Sequence, residues 1–343
     1  MSPLRIRGIQ AVFGFELPCD VFKSDFGLIS QKREVEILKY ILKRLVYSII
    51  TLFIIITVTF FLMHLVPGGP FQGDKSLPAN ILHNLEAKYG LDKPVMVQYG
   101  NYLMDILHGD LGVSVKQHGI PITTIIGRYF PVSMRLGLVA VAFALVMGIL
   151  MGVAAAIKNG KGVDRVVMVL ATLGTSVPSF VVATGSMILF GVTLKWLPTF
   201  GLDTPQKYIL PGFALSFFPL SVIARLMRSN MLEVINQDYI KTARAKGLSE
   251  SIVILKHAMR NAIQPVVTYL GSLLASILTG SFVIEKVFTI PGLGQQFVQS
   301  INNRDYSLIM GTTIFYAALL IFLYLLVDIV YVLVDPRIKL SND

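Results

Sequence analysis

The chain has 343 residues, of which 54% are hydrophobic and only 15% charged, and its mean hydropathy is +0.68. Ordinary soluble domains carry about 25% charged residues, so this composition excludes a soluble globule. The single cysteine, Cys19, excludes an internal disulfide framework or a Cys-based metal cluster, and the net charge of +10 is read as basic loops beside membrane spans, not as a nucleic-acid footprint.

Residues 1–35 mix charge, Pro and Gly, contain no apolar run of membrane length and no signal-peptide core, and are read as a cytoplasmic N-terminal extension. A second, predominantly apolar body then runs over 36–343. Its approach, Glu36-Ile-Leu-Lys-Tyr-Ile-Leu-Lys-Arg44, predicts a basic amphipathic helix whose Lys39, Lys43 and Arg44 reach lipid headgroups. A helix needs about 20 apolar residues to cross a bilayer. Six runs satisfy this, near 45–66, 132–157, 166–194, 209–226, 263–284 and 308–334. The expected fold class is therefore all-α, a polytopic membrane protein with six transmembrane helices.

The loop over 67–131 is too long for a plain connector and is expected to fold. Pro78, Ile81, Leu82, Leu85, Tyr89 and Gly90 carry helix start, period and stop signals. A second helix is predicted after Pro94, with Tyr99, Tyr102, Leu103, Ile106 and Leu107 at helical spacing before Gly109-Asp-Leu-Gly112. Together they form an external cap, either a structural lid or a docking surface.

In the second span Ala140, Ala144, Gly148, Gly152 and Ala156 recur every four residues. This stripe removes side-chain bulk from one face and predicts close approach of another helix. The third run is overlong and is expected to break at Pro178, with freed carbonyls met by Ser or Thr. The fourth is short and carries Pro219. Ionisable groups in or beside spans are His64, Arg135, Arg225, Glu285 and Asp328. All but Asp328 are placed at span ends within reach of water or headgroups, and Asp328 is expected to pair with a basic group near the inner face. No midplane carboxylate pair or arginine ladder marks an ion pathway.

Orientation follows from charge. With both termini cytoplasmic, twenty of the thirty Lys and Arg fall in inside segments, nine in outside segments, and Arg135 in a span. That places residues 238–262, a charged stretch between spans four and five, in the cytoplasm. Tyr239 to Lys246 favours helix, Gly247 suits a left-handed cap, Leu248 supplies the contact beyond it, and Ser249 is positioned to cap a second helix. Ile240, Ala243 and Leu248 are expected to present a small apolar surface ringed by Lys241, Arg244 and Lys246. Such a knob fits a groove on a soluble partner. A DNA-reading helix-turn-helix tethered this close to the bilayer could not enter a major groove. A hairpin lying on lipid is the structural alternative.

The chain contains no Gly-x-x-x-x-Gly-Lys-Ser/Thr loop, no His-Glu-x-x-His and no Gly-x-Ser-x-Gly, so it is read as non-catalytic and any use of ATP must come through a partner. A stand-alone secondary transporter or channel is the alternative of a different class.

Ala243-Arg244-Ala245-Lys246-Gly247, followed by His257-Ala-Met-Arg260-Asn261-Ala-Ile-Gln-Pro265, resembles the coupling signature of ABC importer permeases in its oligopeptide and dipeptide form. Leu65-Val-Pro-Gly, Lys88-Tyr-Gly-Leu-Asp, Gly109-Asp-Leu-Gly-Val-Ser114, Val287-Phe-Thr-Ile-Pro-Gly-Leu-Gly294, Asn303-Arg-Asp-Tyr306 and Asp335-Pro-Arg337 resemble the B-type subunit of that family. The usual Glu at the head of the signature is Thr242 here. The resemblance implies a type I ABC importer permease fold in a bacterial inner membrane. It implies a second permease subunit, two ATPase subunits that carry ATP and Mg, and an external peptide-binding protein. Tyr239, Ala243 to Leu248, His257, Arg260 and Asn261 would form the ATPase-coupling element. The cargo stays open among dipeptides, longer peptides and nickel complexes, and no substrate-binding residue is assigned.

Overall fold

The computed structural model describes residues 19–66, 92–117, 119–279 and 281–334. Twelve helices account for most of these residues, and the only β feature among them is one antiparallel bridge, Val113 to Pro121. The expected helix over 78–90, the first eighteen residues and Asp335-Pro-Arg337 lie outside the described residues. The chain divides into two compact units, residues 1–50 with 328–343, and residues 51–327.

Helix α1 (Cys19–Leu65), which starts in the first unit and ends in the second, begins well before Glu36, where the membrane approach was expected. The run Gln31-Lys-Arg-Glu-Val-Glu contains strong helix formers and no Pro, so the helix propagates through a segment with no apolar face of its own. Arg44 and Asp328 pair at 3.2 Å, giving Asp328 the basic partner expected of it.

The second unit is the bundle. Helix α2 (Val95–Leu107) packs on the end of α1: Thr57 and Tyr99 share a 2.7 Å hydrogen bond, His64 and Gln98 one of 3.1 Å, and Tyr99 and Tyr102 stack near Phe60. Helix α3 (Ile122–Ile157) runs through Pro131, so it starts ten residues before the expected span at 132. Helix α4 (Gly162–Ser176) and helix α5 (Ser179–Thr193) meet at 111° across Val177-Pro178. Proline cannot donate to the helix ladder and pushes the preceding residue toward extended backbone, and Val177 is extended at ψ 124°. In the last turns of α4, Thr175 donates to the Ala171 and Thr172 carbonyls and Arg225 to that of Ala171; these lie short of Gly174, whose carbonyl loses its helical donor to Pro178.

Helix α6 (Ile209–Ile235) continues nine residues beyond the expected end at 226. Apolarity stops there but the backbone does not, because Met227 and Met231 still face the core. The stripe on α3 packs against this helix. A Cβ on Gly148 would lie 2.8 Å from Ile223 Cγ2, and one on Gly152 2.6 Å from the Ala224 carbonyl, so only glycine fits at either position. Ala140, Ala144 and Ala156 are buried along the same seam.

Helix α7 (Asp238–Ala245) and helix α8 (Glu250–Ala262) follow, and α8 bends by 51° into helix α9 (Gln264–Thr279) just before Pro265. The expected fifth span to Ile284 ends earlier. Ile284 belongs to a separate helix, α10 (Phe282–Val287), after the helix-poor sequence Thr279-Gly-Ser281. Helix α11 (Leu293–Asn302) and the long α12 (Tyr306–Val334) complete the chain. Among the described residues four helices are long and apolar enough to cross a membrane, and up to six spans result if each bent pair counts as one.

Candidate coupling site

Helix α6 delivers the chain to the hairpin through only Asn236 and Gln237. Helix α7 then ends in a Schellman turn. Gly247 N–H donates to the Arg244 carbonyl at 2.9 Å and Leu248 N–H to the Ala243 carbonyl at 3.4 Å, with Gly247 at φ +78°. An L side chain pays about 1–2 kcal/mol in this left-handed region. Glycine is therefore required by the backbone alone, since no atom lies within 4 Å of where a Cβ would stand.

The apolar face expected to point outward points inward. Ile240 is 0% exposed and Ala243 7%, and both join Val253, Ile254, Ala258 and Met231 in the largest core cluster. An eight-residue helix has too little internal stability to stand alone, so its i, i+3 stripe docks on α8. The outward apolar groups are instead Leu248, Ile252 and Leu255, the last 60% exposed. Ala243 thus supports the hairpin from within and presents no surface.

Arg244 forms a fork with Glu250 across the turn, Nε to Oε2 at 3.1 Å and Nη2 to Oε1 at 2.7 Å. Asn261 Nδ2 donates to the Tyr239 hydroxyl at 2.7 Å, tying the base of α7 to the end of α8. Ala245, Lys246 and Gly247 are exposed at the tip, Arg260 is exposed on α8, and His257 is half-buried in a π-helical turn over Val253–Ala258. Thr242 turns its hydroxyl to the Asp238 carbonyl at 2.9 Å. Ser249 stands at the N-cap of α8 without a side-chain capping bond. Glu250, Ile252 and Leu255 were missed by sequence reasoning. A pairing across a tight turn follows no helical period, and only the Schellman geometry brings positions 244 and 250 together.

A second polar cluster forms at the opposite end of the bundle. Glu285, expected within reach of water, is 0% exposed. Ser281 donates to one of its oxygens, and Gln295 N–H to the other at 2.9 Å. Gly292 and Gly294 make room for that carboxylate, since a Cβ on either would run into it. Asp305, buried at 1%, accepts from the Ser114 hydroxyl and from the N–H groups of Val115, Lys116 and Leu308. Gln117 Nε2 donates to Gln296 Oε1 at 3.0 Å, tying Gln117 to α11. Ser133 accepts from Leu293 N–H at 2.9 Å, tying α11 to α3. Arg135 lies on the exposed face of α3. These residues form a dry knot and no reactive constellation. No group of three or more metal-ligating side chains occurs among the described residues.

A helical bundle with broken spans and a tightly turned polar hairpin defines a multi-pass membrane protein. The chain belongs to the family of binding-protein-dependent transport system inner membrane components, whose model matches residues 144–340, with the corresponding N-terminal component matching 37–137. It is 48% identical over 304 residues to the dipeptide transport system permease protein DppB of Bacillus subtilis, covering 89% of this chain and 99% of the relative. It is 45% identical to the oligopeptide transport system permease protein OppB of Haemophilus influenzae, covering 88% and 99%. A chain of the MetNI methionine ABC transporter, solved in inward-facing conformations, superposes with a TM-score of 0.50 at 18% identity, covering 62% of this chain and 97% of that one, which shows the fold alone. The fold is that of type I ABC importer permeases. Family membership favours the importer reading over a stand-alone secondary transporter or channel.

Proposed function

We propose that this chain is half of the translocation pathway of an ATP-driven peptide importer, and that residues 238–262 are the element through which ATPase subunits move it. Both termini and the hairpin face the cytoplasm. A second permease subunit completes the pathway, two ATPase subunits bind ATP and Mg, and an external binding protein delivers the peptide. Peptide as cargo is supported by the dipeptide and oligopeptide permeases to which the chain is similar.

The observation that carries the reading is the hairpin's construction. Its tip is exposed, while its base is anchored in the core by Ile240 and Ala243 and it is joined to α6 by two residues. A partner that grips Lys246, Gly247, Leu248 and the Arg244–Glu250 fork therefore moves α6 as a rigid body. Uptake of a labelled dipeptide per ATP hydrolysed, in vesicles holding the whole transporter, tests it. Arg244→Glu should lower that ratio about tenfold or more, within the usual range of coupling free energies, with the chain still in the membrane. Unchanged uptake per ATP would sink the assignment of the hairpin.

A further inference from the structure

Two arginines one turn apart on α6 grip α4 at separate points. Arg228 forms a fork with Asp164, Nε to Oδ1 at 2.5 Å and Nη2 to Oδ2 at 2.8 Å, and its Nη2 also donates to Asn159 Oδ1 at 3.1 Å. Asp164 Oδ2 accepts a further bond from Gly160 N–H at 2.9 Å, so the α3–α4 loop is wrapped around the ion pair. The Asp164 side chain is only 6% exposed and that of Arg228 24%. Closer to the break, Arg225 Nη2 donates to the Ala171 carbonyl at 3.0 Å and to Thr175 Oγ1 at 2.8 Å.

The surface between these two grips is built for close approach. A Cβ on Gly174 would overlap the Ser221 hydroxyl, and Ala155, Val167 and Ala224 form a small buried cluster. Helices α4 and α6 are thus joined by short apolar contacts, by the Arg228–Asp164 fork, and by Arg225, whose Nη2 alone holds both the Ala171 carbonyl and Thr175. A forked guanidinium resists both sliding and rotation, because it holds its partner at two atoms. The clamp ends at Thr175, two residues before Val177-Pro178, where the chain turns through 111°. Stiffness on one side and a proline break on the other make the elbow the place where relative movement is absorbed.

We infer that Arg225 and Arg228, with Asp164, are positioning residues of the transport cycle: they make α4 travel with α6 and the hairpin, so that ATP-driven movement is passed to the elbow at Val177-Pro178 and there changes the angle of α5. The inference rests on the hairpin reading above, and it adds a destination for the movement. It also gives loop 158–161 a task, since the loop keeps the ion pair aligned.

The test uses the whole transporter in vesicles, with labelled dipeptide uptake and ATP hydrolysis measured on the same preparation. Asp164→Asn keeps the shape and one acceptor oxygen but removes the charge and sets an amide N–H against a donor that the carboxylate had accepted from, and Arg228→Gln removes the fork. Both should leave the amount of chain in the membrane and its ATP hydrolysis near normal, while uptake per ATP falls about tenfold, within the range of ordinary coupling free energies. Arg228→Lys, which keeps charge but only a single point of contact, should fall between wild type and Arg228→Gln. An element needed only for folding would lower chain level, hydrolysis and uptake together and leave their ratio unchanged, and that result overturns the inference. So does an unchanged ratio in both variants, or loss of the chain from the membrane in both. Arg244→Glu run in parallel separates the two readings. If it leaves uptake per ATP intact, the hairpin assignment fails; if it uncouples while the clamp variants do not, the clamp alone fails.

Discussion

The bundle carries two polar knots, one at each end, and they are built on opposite principles. At the hairpin end the charged groups are exposed. Arg244 and Glu250 meet in water, and the turn relies on Gly247, around which there is open space. At the other end two carboxylates are buried. Asp305 organises three backbone N–H groups and Glu285 one together with a serine hydroxyl, and two left-handed turn positions are filled by Thr289 and Arg304 where glycine would be easier. A buried carboxylate that satisfies several donors fixes a loop at high cost to any change, whereas an exposed fork contributes little to stability and remains available to a partner. The distal knot fixes its own loops against the bundle, and the hairpin's fork stays exposed.

That contrast can be broken by substitution. Asp305→Ala leaves the Ser114 hydroxyl and three N–H groups without their acceptor, and should cost about 3 kcal/mol or more from buried unsatisfied donors alone. Thermal unfolding of the detergent-purified chain would register this as the largest shift of the set. Gly294→Ala introduces a methyl 2.5 Å from Phe282 Cδ1 and 2.9 Å from Glu285 Oε2, an overpacking expected to cost about 1–3 kcal/mol. Gly247→Ala meets no atom, so only the left-handed backbone opposes it, at about 1–2 kcal/mol; its melting curve should move less than that of Asp305→Ala. Arg244→Ala should leave unfolding unchanged within error while uptake per ATP drops. Should Arg244→Ala destabilise the chain as much as Asp305→Ala, the division between a holding end and a handle would be lost.

Much of this was legible before the structure. Apolar runs gave the spans because a bilayer selects by length and hydropathy, and the four-residue recurrence from Ala140 to Ala156 gave the seam because glycine and alanine at that spacing leave a groove. Gly247 after Lys246 marked its turn because few residues adopt that conformation. What stayed hidden depends on distance in space. The direction in which Ile240 and Ala243 face is decided by α8, which offers a closer apolar surface than any partner. The burial of Glu285 is decided by Gly292, Gly294 and Ser133, the last of them more than 150 residues away in sequence. The clamp of Arg228 on Asp164 joins residues 64 positions apart that no local pattern links.

The seam between α3 and α6 has a use of its own. With Gly148 and Gly152 set against the backbone of the facing helix, the two helices have no slack to part or to slide. The seam is a fixed ruler inside a moving machine. Spin labels placed on the exposed faces of α3 and α6 should report one constant separation in every nucleotide state. Distances from either helix to α5 can then be read against that ruler, and any change in them belongs to the elbow.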